Sequence, residues 1–475
     1  MQKVFTNPSQ LEKLAKQTYA VPEFLMMENA ARALSDFILD FAPEHVIILC
    51  GKGNNGGDGY AVARLLQNKC KTTIISIEPP SADEAKAQYE MCRRLEISIN
   101  KMEDVKSGEL QKASLILDCI YGTGFHGELS QNVKDLLDAA NKSKAIKISC
   151  DIPSGLYFHA DYTLTMGEQK LALYSDKAKA VCGKILVQDL GISREKFETS
   201  SDNIFLIELD DIRLPIRKNR AAHKGTYGHT AIFCGDKAGA AILSAGAAMN
   251  FGSGLTSLIQ TTESNLYQFK ISPSLMISDS IPKKTTAIAA GSGFTKFSEE
   301  AANHIKEWFK SQKNPAAVFD AGMVTAQEFP SFLKELNVCP GARIILTPHL
   351  AEFSTLVKNL TGEEVSVSEL SENPQLKVDL GQKLNQLYPA TTIIIKSANT
   401  FIASEGKCFI VADGPQSLAK GGSGDILAGL TASLLAQGYS SKDAAITATG
   451  HHAQIARKIG EQAYNLTPEK LISMI

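Results

Sequence analysis

The stretch VIILCGKGNNGGDGYAVARL, residues 46–65, decides the first half of the chain. An unbroken apolar run of β-branched character reads as a strand covered on both faces, and here it enters a glycine-rich loop and then a run with helical spacing. That order is the opening of a βαβ unit on a parallel sheet. The same rhythm continues outward through TTIISI (72–77), an amphipathic stretch at 82–95, LILDCI (115–120), a second such stretch at 132–140, and AIKISC (145–150). Ahead of it, Met26, Ala30, Ala33, Leu34, Phe37, Ile38 and Phe41 recur at helical spacing after Pro22, which predicts a helix over 22–41 laid on the sheet.

Around 209–224 the chain turns polar and basic, LDDIRLPIRKNRAAHK, and is broken by Pro215. This predicts a boundary, with domains at 1–210 and 211–475. The second half repeats the α/β pattern in TAIFCG, AIAAG, AAVFDAG, ARIILTP, TTIIIKS and CFIVADG and closes on helical stretches at 424–436 and 442–459. The expected fold class is therefore α/β in two domains, the first a Rossmann-like parallel sheet.

A chain of 475 residues with 44% hydrophobic residues has room for two to four domains at roughly 100–200 residues each. Lys plus Arg total 49 against 51 Asp plus Glu, a net charge of -2 without single-sign runs, which disfavours bulk binding to nucleic acid or to a membrane surface. The 9 cysteines are widely spaced, with no CxxC pair, and several end apolar runs, as reduced thiols in a cytoplasmic protein do. The N-terminus lacks a signal-peptide core, and the apolar stretch 238–255 contains too many glycines and serines for a membrane span.

Gly51, Gly53 and Gly56 satisfy GxGxxG, and Glu78 stands where a ribose-binding acid belongs, so a dinucleotide-binding dehydrogenase is the first reading. Against it, Asp58 puts a carboxylate at the helix start, where a ligand phosphate would otherwise sit. Asp118, and then Asp151 with Ser154, follow two further strands; in an open parallel sheet the carboxyl ends of the strands form the binding crevice, so Asn55, Asp118, Asp151 and Ser154 are expected to converge there. In the second half, GPQSLAKGGSGDILAGL (414–430) runs a glycine turn into an apolar helix. Backbone N–H groups there make an anion site, and Asp425 at its rim can take a hydroxyl proton during phosphoryl transfer.

MMENAARAL, GKGNNGGDG, LDCIYGTGFHGELS and DIPSGL, in this order, resemble the NAD(P)H-hydrate epimerase family. The resemblance implies potassium held by Asn55, Asp118 and Ser154. A direct side-chain hydrogen bond between Asp118 and Ser154 would count against that ion. Substrate positions carry over to Asn54, Asn55, Gly56, Gly57 and Asp58, to Gly122, Thr123, Gly124, Phe125, His126, Gly127 and Glu128, and to Asp151, which would give and take the proton needed at C6 of the nicotinamide ring. After Leu156 the chain reads YFHADY where the family has an Asp-Ala-Asp-Thr-Gly-like run.

HKGTYGH, SPSLM, AAGSGF, VFDAG, LTPHLAEF, IKSANT and GGSGDILAGL are similar to the ribokinase-like ADP- or ATP-dependent NAD(P)H-hydrate dehydratases. Ala240, Gly293 and His349 would contact the hydrate; Lys396, Ser397, Ala398, Asn399, Thr400 and Gly424 would hold the nucleotide; Asp425 would be the base; and Mg2+ would bridge the phosphates. The chain departs from the family in PHLAE for PHPGE, KSANT for KGAGT, DAGMV for DADAL and SPS for SPE. Together the two resemblances imply repair of hydrated NADH and NADPH in a homo-oligomer. Two alternatives stand beside this: a ribokinase-like small-molecule hydroxyl kinase, and a first domain that serves only as a binding or scaffold module. Trp308 is expected to be partly buried, and the His451–His452 pair is assigned no role.

Overall fold

The computed structural model describes every residue except 106, 107 and 126. Its contacts divide the chain into one compact unit at Lys3–Asp202 and another at Asn203–Ile475 with Met1–Gln2. The strand Ile204–Leu206 lies in the second unit because it pairs in parallel with Cys408–Ile410, so this division falls before the polar stretch at 209–224.

The first unit is built on a seven-stranded sheet in the order Ser98–Lys101, Lys71–Ser76, His45–Cys50, Leu115–Cys119, Ile146–Cys150, Tyr162–Met166 and Lys184–Gln188. Every pairing in it is parallel. Val46 to Cys50 are fully buried, as the apolar run requires of a strand covered on both faces. The expected cover helix spans Glu23–Leu39, buries Met26, Ala30, Leu34 and Ile38, and sets Phe37 edge-on to Tyr162 at the head of its strand. Gly57 permits its approach to helix Asn54–Leu65, since a Cβ there would lie 2.5 Å from Met27 Cε.

The second unit's sheet runs Met276–Ser278, Leu255–Ile259, His229–Phe233, Ala287–Ala290, Ala316–Phe319, Arg343–Leu346 and Thr391–Ile395 in parallel. It then turns antiparallel through Thr400–Ser404 and Lys407–Val411. The hairpin between these last two turns on Glu405 (φ 54°) and Gly406 (φ 70°), the left-handed pair that matches strand twist. The alanine-rich 238–255 stretch becomes helix Ala238–Asn250 followed by a strand, and it packs closely on helix Ser423–Ala436, where a Cβ on Gly429 would meet Ser244 O at 2.1 Å. Among the described residues no helix is long and apolar enough to cross a membrane, and all nine cysteines are free thiols. Trp308 is 7% exposed in helix Glu299–Ser311.

Candidate functional sites

In the first unit the loops after the parallel strands meet at their carboxyl ends. A Cβ on Gly122 would stand 3.0 Å from Asp151 Oδ2 and 3.6 Å from the Asn55 side chain, which places these three together. A cavity of about 570 Å³ opens beside them. Its lining includes Gly122, Thr123, Phe125, Gly127 and Lys170 and, unforeseen from the sequence, the segment Phe5–Ser9. His126 lies outside the described residues.

Asp151 has φ 71°, a left-handed conformation unfavourable for a residue with a side chain, and its N–H to Leu164 O at 2.7 Å holds it there. Its carboxylate accepts from Thr123 N at 3.3 Å and is ion-paired to Lys170 Nζ at 2.7 Å. Lys170 is 3% exposed and also pairs with Glu168 at 3.1 Å. Burial would lower the Lys170 pKa, but Asp151 and Glu168 outweigh it and the ammonium is held charged. Burial pushes Glu168 up to about 7 and Asp58 well above the carboxylate range, with the charge of Asp151 adding in the same direction for both. Lys170 and Glu168 had no signal in the sequence beyond lying one short turn past a strand.

Two of the three glycines of GxGxxG serve backbone packing, while a Cβ on Gly53 would meet open space. A Cβ on Gly51 would strike Ile120 O at 1.9 Å, and one on Gly56 would strike Gly51 O at 1.9 Å. Glu78, the expected ribose acid, instead forms an exposed ion pair with Lys52 at 3.0 Å. Gly56 and Gly57 are likewise buried against protein, whereas Asn54 is exposed.

Asp118 is fully buried, and burial raises its pKa to about 6 against hydrogen bonds from Ser154 and Ile120. Ser154 Oγ donates directly to Asp118 Oδ1 at 2.6 Å and accepts from Tyr121 N at 2.9 Å. That direct bond is the arrangement that counts against an ion between these two side chains. The Asn55 amide, by contrast, is buried with both Oδ1 and Nδ2 unpartnered.

In the second unit, strand ends at Ala290, Phe319, Leu346 and Ile395 bring a second set of groups together. Lys396 Nζ lies 3.0 Å from Asp320 Oδ1 and 4.0 Å from Glu352 Oε2, and a Cβ on Gly424 would stand 3.3 Å from it. Asp425 stands in the first turn of helix Ser423–Ala436, whose N-cap is Gly422. Its pKa is pushed up to about 6, first by burial and then by Asp320, against a hydrogen bond from Ser292 and the charge of Lys396. Gly293 and Ala240 are neighbours: φ is 79° at Gly293, and a Cβ there would lie 3.2 Å from Ala240 Cβ.

His349 caps helix Leu350–Thr361, its Nδ1 accepting from Glu352 N at 3.3 Å, and its side chain is 55% exposed. In the KSANT run, Ala398 is exposed but Asn399 is 1% exposed, so the Asn399 side chain faces protein and not an incoming nucleotide. Ser397 Oγ donates to Asn399 O at 2.6 Å and accepts from the buried Lys377 at 3.1 Å, a local use for the hydroxyl that replaces a family glycine. His452, to which the sequence assigned no role, sits beneath the anion loop with Nε2 3.4 Å from Ser423 Oγ, and His451 stacks on Phe251. Asp320 and Glu352 lie within motifs that the sequence displays, VFDAG and TPHLAE, but only the fold joins them to Lys396.

Two family models match the chain: YjeF-related protein N-terminus over residues 23–172, and NAD(P)H-hydrate dehydratase over residues 230–475. A bifunctional NAD(P)H-hydrate repair enzyme of Helicobacter pylori is 35% identical over 486 residues, covering 100% of this chain and 99% of that protein. The enzyme of the same name from Coxiella burnetii is 30% identical, covering 95% and 93%. A crystal structure of the ADP/ATP-dependent NAD(P)H-hydrate dehydratase from Bacillus subtilis, co-crystallized with ATP/Mg2+, aligns with a TM-score of 0.46 at 25% identity over 55% of this chain and 92% of that one. With a similar protein matched along the whole chain and a family model on each half, the chain belongs to the bifunctional NAD(P)H-hydrate repair enzymes.

Proposed function

We propose that the first unit interconverts the R and S hydrates of NADH and NADPH at C6, and that the second dehydrates the S form at the expense of ADP or ATP. The observation that carries this reading is a buried carboxylate–lysine arrangement beside a glycine-rich loop in each unit, at the carboxyl ends of parallel strands. In the first unit Asp151, paired with Lys170, takes a proton from the incoming water and returns one to the leaving hydroxyl, while Gly122, Thr123, Phe125 and Gly127 receive the ring. In the second, Asp425 takes the proton of the C6 hydroxyl as the terminal phosphoryl group is transferred to it. Loss of phosphate, driven by the ring nitrogen, leaves an iminium at N1 and C6, and release of a C5 proton to the departing phosphate or to solvent then restores the reduced nicotinamide; with ADP the products are AMP and phosphate. Lys396 and the N–H groups around Gly424 neutralise the phosphates.

Two ions belong to this reading. The orphaned Asn55 amide and the Asp118 carboxylate, which has no ion-pair partner among the described residues, suit potassium as a hard cation; the Ser154 hydroxyl, spent on Asp118, does not. Magnesium would arrive on the nucleotide phosphates, with Asp320 and Glu352 beside Lys396 as the carboxylates at hand.

The test is to follow both epimers of an NADH-hydrate mixture chromatographically with ADP in excess. Wild type should clear both in one phase. Asp151→Asn should clear the S form at the wild-type rate and leave the R form to spontaneous conversion; one-phase clearance by this variant would remove Asp151 from epimerisation.

A further inference from the structure

Lys170 Nζ has three hydrogens and four acceptors around it: Asp151 Oδ1 at 2.7 Å, Met166 O at 2.8 Å, Thr165 Oγ1 at 2.9 Å and Glu168 Oε1 at 3.1 Å. One acceptor is always left without a proton. The longest contact is the one to Glu168, which is 1% exposed and neither of whose buried side-chain oxygens has a hydrogen-bond partner, Oε1 meeting Lys170 only as an ion pair. An ionised carboxylate in that position would carry a largely uncompensated charge in the interior, and it would draw the ammonium away from Asp151. A protonated one would carry none, and Lys170 would face a single carboxylate at the cavity wall.

The Thr165 hydroxyl cannot resolve the competition, because its own proton goes to Glu168 O at 3.3 Å. The other charged groups facing this cluster only sharpen it. Glu12, on helix Pro8–Tyr19, and Asp58, on helix Asn54–Leu65, are both carboxyl groups raised by burial and by the charge of Asp151. Both also feel the charge of Lys170, so the ammonium is shared by more acids than the two it touches.

We propose that Glu168 is a positioning residue of the epimerase site, which must hold a proton for Lys170 to lock onto Asp151, and which releases that lock when it ionises. It does not touch the substrate; it acts through Lys170, and the proton it exchanges comes from solvent. The proposal rests on the epimerase reading of this cavity. Its consequence is a loss of epimerisation as pH rises through the Glu168 ionisation, burial having brought that ionisation to about 7. The protonated fraction of such a group falls about tenfold between pH 6 and pH 8, and the rate should fall with it.

The experiment measures epimerisation of separated NADH hydrates from pH 6 to pH 8, corrected for the uncatalysed rate, in wild type and in Glu168→Gln, whose amide mimics the neutral acid. Wild type should show the tenfold fall and Glu168→Gln less than about a twofold change. A wild-type profile flat over this range, or a variant that keeps the fall, overturns the proposal. Infrared spectra of the substrate-free protein supply a second readout, needed if the variant folds poorly. The stretch of a protonated carboxyl group should titrate near pH 7 in wild type, shift on labelling with 13C-glutamate, and survive Glu12→Gln. Its absence, or its loss in Glu12→Gln, also overturns the proposal. A protein that shows this band and does not epimerise keeps the proton on Glu168 and refutes the epimerase reading instead.

Discussion

Asp425→Asn should destroy the dehydratase and stabilise the fold, and the combination separates a base from a helix cap. Burial and the charge of Asp320 raise the folded-state pKa of Asp425 to about 6 from 3.8. A group whose folded pKa lies above its unfolded value binds more protons in the native state, so stability declines as pH rises from 3.8 to about 6 and stays lower above it. The shift of about 2 units amounts to about 3 kcal/mol at neutral pH, which an amide of the same shape would not lose. A helix-end role would act the other way: removing a carboxylate from a first helical turn costs about 0.3–1 kcal/mol, and Asp425 lies in the first turn of its helix. Base removal lowers the rate by about 10²–10⁴. The assay is recovery of reduced-nicotinamide absorbance from the S hydrate with ADP in excess, paired with denaturant unfolding followed by Trp308, the only tryptophan of the chain and part of the same unit. In wild type the rate should fall below pH 6 as Asp425 takes up its proton. A variant within a few fold of wild-type rate, or one that loses activity together with stability, would refute the base assignment.

Two further outcomes follow from the same geometry. Gly122→Ala places a Cβ 3.0 Å from Asp151 Oδ2 while Lys170 pins the other carboxylate oxygen, so epimerisation should fall by about 10–100-fold with dehydration unchanged; equal epimerisation rates would show that Asp151 is not the group beside this loop. His452 is pushed down to about 4 by burial and then by His451, so it should contribute a loss of about 3 kcal/mol between pH 6.5 and pH 4, opposite in sign to the Asp425 contribution, as the unfolded chain takes up that proton and the native one resists. Trp308-monitored unfolding of His452→Leu should lack this acid-side loss; the same pH slope in both proteins would place the titration elsewhere.

Much of the architecture was legible because strands buried on both faces leave continuous apolar runs, and VIILC and LILDCI need no partner to be recognised. Short or exposed strands left no such mark. Ile204–Leu206 has three residues and is held by pairing with Cys408–Ile410, some two hundred positions on, so nothing local marked it as the start of the second unit. Thr400–Ser404 was hidden because its hairpin turn, Glu405–Gly406, carries only one glycine between two runs that read as separate strands. At the sites, Asn55, Gly122 and Asp151 come together in the first unit and Lys396 and Gly424 in the second, but the partners Lys170, Glu168, Asp320 and Glu352 do not announce themselves. Asn399 illustrates the limit: it stands inside a nucleotide-type motif and is buried.

Both units arrive at one electrostatic arrangement by different routes. Lys170 and Lys396 are each shared by two carboxylates, Asp151 with Glu168 and Asp320 with Glu352. In each case burial alone would lower the lysine pKa, and the two acids reverse the shift. A buried ammonium without them would lose its proton, and a buried carboxylate without the ammonium would keep its own. Each lysine therefore sets the charge balance of its site more than it holds the fold together, since buried ion pairs add little net stability. Burial first, and then the neighbouring acids Asp151 and Asp320, leave one carboxyl in each site with a pKa drawn toward neutrality, Glu168 at about 7 and Asp425 at about 6. For Asp425 that is the range in which a base can take up a hydroxyl proton at physiological pH, whereas Glu168 reaches the chemistry only through Lys170 and its pairing with Asp151.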